Sequence, residues 1–323
     1  MSYEHEKEIS LTAVKKAALL CQNVQAKINQ VGKVDKSDAS PVTIADFGTQ
    51  ALVSQALFEA FADIPLVGEE DASDLRADSD LCDAMMRELS VVDADLSRDI
   101  ALDAIDRGTY EGGSAGKHWV LDPIDGTKGF LRGEQYAIAL GLIENGEVVM
   151  GVLGCPNLPN TDGSKGAIFV ASKGAGVEMF SLEGISRGKV SVSNVSDVSQ
   201  ANFCESVEKG HSSHSHSAQI AEKLGIKTEP YRIDSQCKYA AVGRGDAAIY
   251  LRLPTRPGYQ EKIWDHAAGV AVIMEAGGTV TDVYGKKLDF SLGRSLANNK
   301  GVIVTNGQFH DEVLAAVREV LGI

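Results

Sequence analysis

The chain reads as a mixed α/β protein built in layers, with a first half rich in antiparallel strands. Three observations predict this. Leu11, Val14, Ala18, Cys21 and Ile28 recur at helical spacing. Two β-hairpin patterns follow one another between residues 136 and 180. After residue 188, short strand and helix patterns alternate.

Residues 9–30 are predicted as an amphipathic helix, followed by a polar stretch with Asp35, Asp38 and Pro41, then a second helix from Phe47 to about Phe61. Residues 72–113, rich in Asp, Ser, Ala and Arg, are expected to hold helices and loops around a functional site, ending in the glycine-rich run 112–116. Trp119 to Leu121 reads as a buried strand. Tyr136 to Ile143 and Val148 to Gly154 flank Glu144-Asn145-Gly146-Glu147, a strong hairpin turn. Ala167 to Ala171 and Val177 to Phe180 form the second hairpin. Residues 182–188 mark a boundary, so the expected domains are 1–183 and 184–323. Val190 to Val192, a His/Ser-rich loop, Ala247 to Leu251, a helix from Ala267 to Glu275, a strand from Val302 to Thr305 and a helix from Asp311 to Leu321 complete the chain.

Composition narrows the function. With 323 residues, 44% of them hydrophobic, the chain can bury a full core. A formal net charge of -14 argues against nucleic-acid polymers and anionic membranes as partners. It would also repel an anionic substrate unless cations or a local basic pocket reverse the field. Cys21, Cys82, Cys155, Cys204 and Cys237 are scattered and never form a C-x-x-C pair. Reduced thiols are expected, in a cytoplasmic protein, and the N-terminus has neither an apolar targeting core nor an Arg-rich, acid-poor character. No run approaches the ~18 apolar residues of a membrane span.

The chemistry concentrates in Trp119-Val-Leu-Asp122-Pro-Ile-Asp125-Gly-Thr127. A strand ends in two carboxylates, and Pro123 between them fixes φ. Two acids without a base between them repel unless protonated, separated or joined by a cation. A hard divalent metal fits, with an anionic substrate against the free N–H groups of the Gly126-Thr127 turn. Pro65-Leu66-Val67-Gly68-Glu69-Glu70-Asp71 is a second strand tip ending in acids, although a solvated acidic turn reads the same way. Asp265 in Trp264-Asp265-His266, and Asp46 in Thr43-Ile44-Ala45-Asp46, are further candidates that could equally be helix N-caps. Oxygen donors alone select Mg²⁺ or Mn²⁺ over Zn²⁺. His211, His214 and His216 read as a polar loop rather than a metal site. The two acids of the opening motif are three residues apart, which does not fit a phosphatase with an Asp nucleophile and a second Asp two residues on, so water must attack.

Together, Gly68-Glu69-Glu70, Asp122-Pro-Ile-Asp125-Gly-Thr127 and Trp264-Asp265…Gly277-Gly278…Thr281-Asp282 resemble the lithium-sensitive, Mg²⁺-dependent phosphatase superfamily of inositol monophosphatase and fructose-1,6-bisphosphatase. Val207-Glu-Lys-Gly-His211, Asp234-Ser-Gln-Cys-Lys238-Tyr239, Tyr250-Leu-Arg252-Leu-Pro254 and Tyr259-Gln-Glu-Lys-Ile-Trp264 are similar to the 3′(2′),5′-bisphosphate nucleotidases within it. That resemblance implies an α-β-α-β-α sandwich and two or three Mg²⁺ ions. It implies metal carboxylates at Glu69, Asp122, Asp125 and Asp265 with the Ile124 carbonyl, and Asp46 with Thr127 activating water. It further implies substrate contacts at Gly126, Thr127, His211, Ser235, Lys238 and Arg252. From local pattern alone, Lys238 and Arg252 would pass as surface charge. The expected reaction is hydrolysis of the 3′-phosphate of adenosine 3′,5′-bisphosphate by a monomer, with its phosphosulfate and inositol 1,4-bisphosphate as further candidate substrates. The rivals are an inositol polyphosphate 1-phosphatase or broader sugar phosphatase on the same scaffold, and a non-catalytic nucleotide sensor.

Overall fold

The computed structural model describes residues 3–31, 41–207, 214–254, 256 and 258–323. Two helices open it, α1 (Glu4–Val31) and α2 (Pro41–Ala60). The second begins earlier than the apolar period suggests, with Pro41, whose fixed φ suits a first helical turn, as its first residue. Asp46 therefore lies inside the helix and is no N-cap. Strand β1 (Leu66–Gly68) leads to helices α3 (Ser73–Ala77), α4 (Ser79–Val92) and α5 (Arg98–Asp106). Strand β2 (Lys117–Asp125), the short helix α6 (Thr127–Leu131), and strands β3 (Ala137–Glu144), β4 (Glu147–Pro159), β5 (Lys165–Ser172), β6 (Gly176–Phe180) and β7 (Ser186–Val190) follow.

These seven strands form one sheet in chain order, with β1 parallel to β2 and every later neighbour antiparallel. The sheet extends to Val190, beyond residue 183, because β7 pairs along β6. Alternation along β3 divides its two faces. Ile138, Leu140 and Leu142 pack with α1 and α2, whereas the smaller Ala137 and Ala139 face a second core.

The remainder comprises β8 (Phe203–Glu205), α7 (His214–Lys223), β9 (Tyr231–Arg232), α8 (Cys237–Gly243), β10 (Ile249–Arg252), α9 (Ala267–Glu275), β11 (Thr279–Thr281), β12 (Val302–Thr305) and α10 (His310–Leu321). Five of these strands make a second sheet in the order β11-β12-β10-β8-β9. Helices α8 and α9 pack between the sheets, touching β4 on one side and β10, β11 and β12 on the other. Helices α1 and α2 cover the outer face of the first sheet, and α7 and α10 that of the second. The five layers are α-β-α-β-α, the order that the family resemblance implies.

Helix α8 has no counterpart in the sequence reading. All its residues, Cys237 to Gly243, are buried, so no polar face gives it a readable period. Residues 72–113 also differ from expectation: α4 and α5 pack on α1 and α2, and none of these residues lines the cavity described below. Among the described residues, no helix is long and apolar enough to cross a membrane. All five cysteines are buried free thiols.

Candidate active site

The acidic wall follows from strand geometry. β1 and β2 run parallel, with Gly68 opposite Leu121, so Glu69 and Asp122 emerge side by side at the strand ends. Residues three apart on a regular strand point to opposite faces. Between Asp122 and Asp125 the register against β3 shifts, from Asp122 opposite Ala139 to Asp125 opposite Ala137. Pro123, which has no N–H for the ladder, sits within this bulge. The extra residue returns both carboxylates to one side. Asp265 joins them from the turn before α9; the cap position itself belongs to His266, which makes no side-chain cap bond, so the N-cap reading of Asp265 does not hold.

A cavity of about 290 Å³ opens here. It is lined by Glu69, Asp122, Ile124, Asp125 and Asp265, by Gly126 and Thr127, and by Ser235, Lys238 and Arg252. The structure thus brings ten of the expected residues to one cavity. Asp46 does not line it but lies buried behind, close enough to raise the Asp122 carboxyl, and no hydrogen bond joins it to Thr127 among the described residues. His211 lies outside the described residues.

The basic wall is assembled from separate short segments. Gly126 adopts φ 92°, and a Cβ there would lie 2.8 Å from the Ser235 Cβ, so only glycine lets the two turns meet. Ser235 itself sits at φ 64°, a conformation that non-glycine residues rarely hold. From this turn the Gln236 N–H donates to Asp125 Oδ2 at 2.6 Å. Lys238 is 6% exposed on α8, with its ammonium 5.2 Å from the centroid of the Tyr250 ring. It makes no direct ion pair among the described residues, and burial lowers its pKa in spite of Asp125. A buried ammonium in that setting favours an arriving anion. Arg252, at the end of β10, is held by Glu261 Oε2 at 2.7 Å and Asp265 Oδ2 at 3.2 Å.

The electrostatics ask for a cation. Burial pushes Asp122 well above the usual carboxylate range, and Glu69, Asp125, Asp265 and Asp46 push it further. Burial, then Glu70 and Asp265, raises Glu69 to about 7. Burial and Asp265 raise Asp125 against the pull of Lys238 and Arg252. Asp46 rises through burial and then Glu70 and Glu69. Asp46 Oδ1 and Asp122 Oδ1 are buried without a hydrogen-bond partner. Orphaned carboxylate oxygens in an all-oxygen, mutually repelling cluster fit a hard divalent ion. Neither Cys nor His lines the cavity among the described residues.

Three supporting residues escape sequence reading. Gln50 on α2 donates from Nε2 to the Glu70 carbonyl at 2.6 Å and accepts from the Glu70 N–H at 3.1 Å, clamping the turn that carries Glu69. This clamp accounts for Gly68: a Cβ there would lie 2.6 Å from Gln50 Oε1. Arg294 donates to the carbonyls of Gly68 at 2.6 Å, Gly108 at 3.1 Å and Tyr110 at 3.0 Å, and stacks 4.9 Å from the centroid of the Trp264 ring. It ties the segment before Glu69 to the segment before Asp265. Glu261 is the third. Gln50 and Arg294 work through backbone groups distant in sequence, which no local motif announces, and Glu261 lies within the Tyr259–Trp264 stretch but carries no role there until Arg252 is seen beside it.

Comparison with known proteins agrees with this architecture. A family model described as the inositol monophosphatase family matches residues 3–321. The 3′(2′),5′-bisphosphate nucleotidase of Emericella nidulans is 46% identical, covering 99% of this chain and 99% of its own. The protein of the same name from Oryza sativa is 48% identical, covering 99% of this chain and 95% of its own. That of Schizosaccharomyces pombe is 42% identical, covering 99% and 97%. Among solved structures, inositol monophosphatase from Anabaena aligns with a TM-score of 0.65 at 19% identity, covering 99% of this chain and 97% of its own. Mycobacterium tuberculosis SuhB aligns with a TM-score of 0.65 at 19% identity, covering 99% and 98%. At such identities these structures speak for the fold alone.

Proposed function

We propose that this chain, which belongs to the inositol monophosphatase family, removes the 3′-phosphate of adenosine 3′,5′-bisphosphate with Mg²⁺ as cofactor, leaving AMP and phosphate. The observation that carries the reading is a single cavity that joins the carboxylates of Glu69, Asp122, Asp125 and Asp265 to the cationic side chains of Lys238 and Arg252. A substrate with two phosphates uses both groups. Relatives named 3′(2′),5′-bisphosphate nucleotidase, matched over nearly the whole chain, support it.

Glu69, Asp122, Asp125 and Asp265, with the Ile124 carbonyl, would hold two or three Mg²⁺ ions. When bound, Mg²⁺ neutralises phosphate oxygens and acidifies water. The Thr127 hydroxyl, on the cavity wall, orients the attacking water, and Asp46, buried behind the wall, takes the proton through that hydroxyl once the two come into hydrogen-bond contact. The Gly126–Thr127 turn receives the phosphate that is cleaved. Lys238, Arg252 and Ser235 hold the 5′-phosphate that stays, Arg252 through its forked donors, and His211 contacts the base. Water attacks in line and no phosphoenzyme forms, so catalysis is positioning plus electrostatics.

In this reading residues 1–183 carry most of the catalytic machinery and 184–323 most of the recognition, in a monomer acting on small molecules in the cytoplasm. The test is phosphate release from adenosine 3′,5′-bisphosphate in Mg²⁺. Rapid release that stops in chelator is the expected result, and no release at any Mg²⁺ concentration would overturn the reading. Parallel assays with the 3′-phosphosulfate donor and inositol 1,4-bisphosphate set the breadth of specificity.

A further inference from the structure

Glu261 is 8% exposed and stands outside the cavity lining, yet it holds a residue that lines it. Its Oε2 lies 2.7 Å from Arg252 Nη2, the same nitrogen that reaches Asp265 Oδ2 at 3.2 Å. On the far side, His266 Nε2 lies 3.4 Å from that Glu261 oxygen, and His266 Nδ1 is 2.7 Å from the Tyr239 hydroxyl. His266 is fully buried and Tyr239 is 1% exposed. The Glu261 backbone is pinned as well, its carbonyl accepting from the Leu296 N–H at 2.8 Å. A buried relay therefore runs Tyr239–His266–Glu261–Arg252, from α8 to the cavity wall.

Glu261, Asp265 and His266 bring ligand atoms within 4.8 Å of one another, a spacing that could suit a metal ion. The Arg252 guanidinium already supplies a cation to both carboxylates. The two differ in what else they face. Asp265 lines the cavity beside Glu69 and Asp125, whereas Glu261 does not. A cation held by Glu69, Asp125 and Asp265 would draw on the Asp265 charge, which would leave Glu261 as the carboxylate that holds Arg252.

We propose that Glu261 is a positioning residue, fixing the Arg252 guanidinium at the cavity wall where the uncleaved phosphate docks, with His266 and Tyr239 holding Glu261 in turn. This rests on the reading of Arg252 as the grip on the second phosphate. A positioned fork loses less freedom on binding than a mobile one, so the benefit falls on substrates that carry that phosphate.

The test is steady-state kinetics of Glu261→Gln on adenosine 3′,5′-bisphosphate and on adenosine 3′-monophosphate, which lacks the 5′-phosphate. The bisphosphate KM should rise about 10-fold, in the range of lost outer-shell partners, with kcat within about 3-fold and the monophosphate KM unmoved. An unchanged bisphosphate KM, or an equal rise on both substrates, overturns the proposal. Glu261→Asp, which keeps the charge but shortens the reach, gives the same comparison should the Gln variant fail to fold. Arg252→Ala separates the two layers of argument. If it does not lower the preference for the bisphosphate, the reading of Arg252 falls. If it does and Glu261→Gln does not, only the positioning role falls.

Discussion

The two sides of the cavity are built in opposite ways. The acidic side stands mainly on β1 and β2, adjacent strands of a seven-stranded sheet, with one bulge aligning Asp122 and Asp125 and only Asp265 arriving from the turn before α9. The basic side collects Ser235 from a strained turn, Lys238 from a helix of seven residues and Arg252 from the end of a four-residue strand. Chemistry on phosphate demands fixed distances between like charges, and a paired sheet supplies that rigidity. On the proposed reading, recognition of a second phosphate needs reach from several directions, which separate segments supply. The acidic side is strained by its own charge and the basic side by backbone and desolvation, so each should fail in its own way.

The largest expected effect breaks the acidic side. Asp122→Ala or Asp265→Ala should lower kcat about 10³-fold or more, on the scale of losing a main electrostatic element of a site. Phosphate release measures it, and activity within a few-fold of wild type would remove those residues from the metal set. Lys238→Met strikes the other side and should raise KM for the bisphosphate about 10-fold or more, the loss of a charge-assisted contact, with a smaller change in kcat. Equal losses in both constants would place Lys238 in the chemistry instead.

Arg294→Ala tests the strut between the Glu69 and Asp265 segments. Titration of activity with Mg²⁺ should show half-saturation shifted about 10-fold upward, the usual cost of an outer-shell partner. An unshifted curve with lower stability would make Arg294 purely structural.

The smallest effect concerns pH. Glu69 titrates at about 7 in the folded chain against an ordinary 4.5, and Asp122 is raised as well. Between those limits the folded state binds more protons than the unfolded one, so stability falls as pH rises. In chelator, Tm should drop by about 2–4 °C between pH 5 and pH 8, the size expected for a chain this long. Mg²⁺ in excess should flatten the slope by taking the protons' place. A slope of the opposite sign would mean that the carboxylates are not crowded as described.

Of the acidic side, the Asp122–Asp125 pair was legible because an apolar strand, a proline between two acids and a glycine turn fall within about a dozen residues, whereas Glu69 could pass as a solvated turn and Asp265 as a helix cap until the family resemblance joined them. The hairpins and the N-terminal helix, whose periods are long, were legible too. Helix α8 was not legible, because burial on every face erases its period. Lys238 and Arg252 were reached only through resemblance to a family, since single cations in short elements look like surface charge. Gln50 and Arg294 were missed altogether, and Glu261 was read only as part of the Tyr259–Trp264 stretch, with no role of its own. Gln50 spans 20 residues to its Glu70 partner and Arg294 spans 226 to Gly68, and long-range contacts to backbone leave no local trace. Residue 183, expected as a boundary, is followed by a strand of the same sheet.

The division of labour is tested most directly by Arg252→Ala, assayed side by side on adenosine 3′,5′-bisphosphate and adenosine 3′-monophosphate. The account predicts that the wild-type preference for the bisphosphate in kcat/KM shrinks about 10-fold or more while kcat on each substrate stays within a few-fold. A preference left intact, or a loss carried wholly by kcat on both substrates, would contradict it.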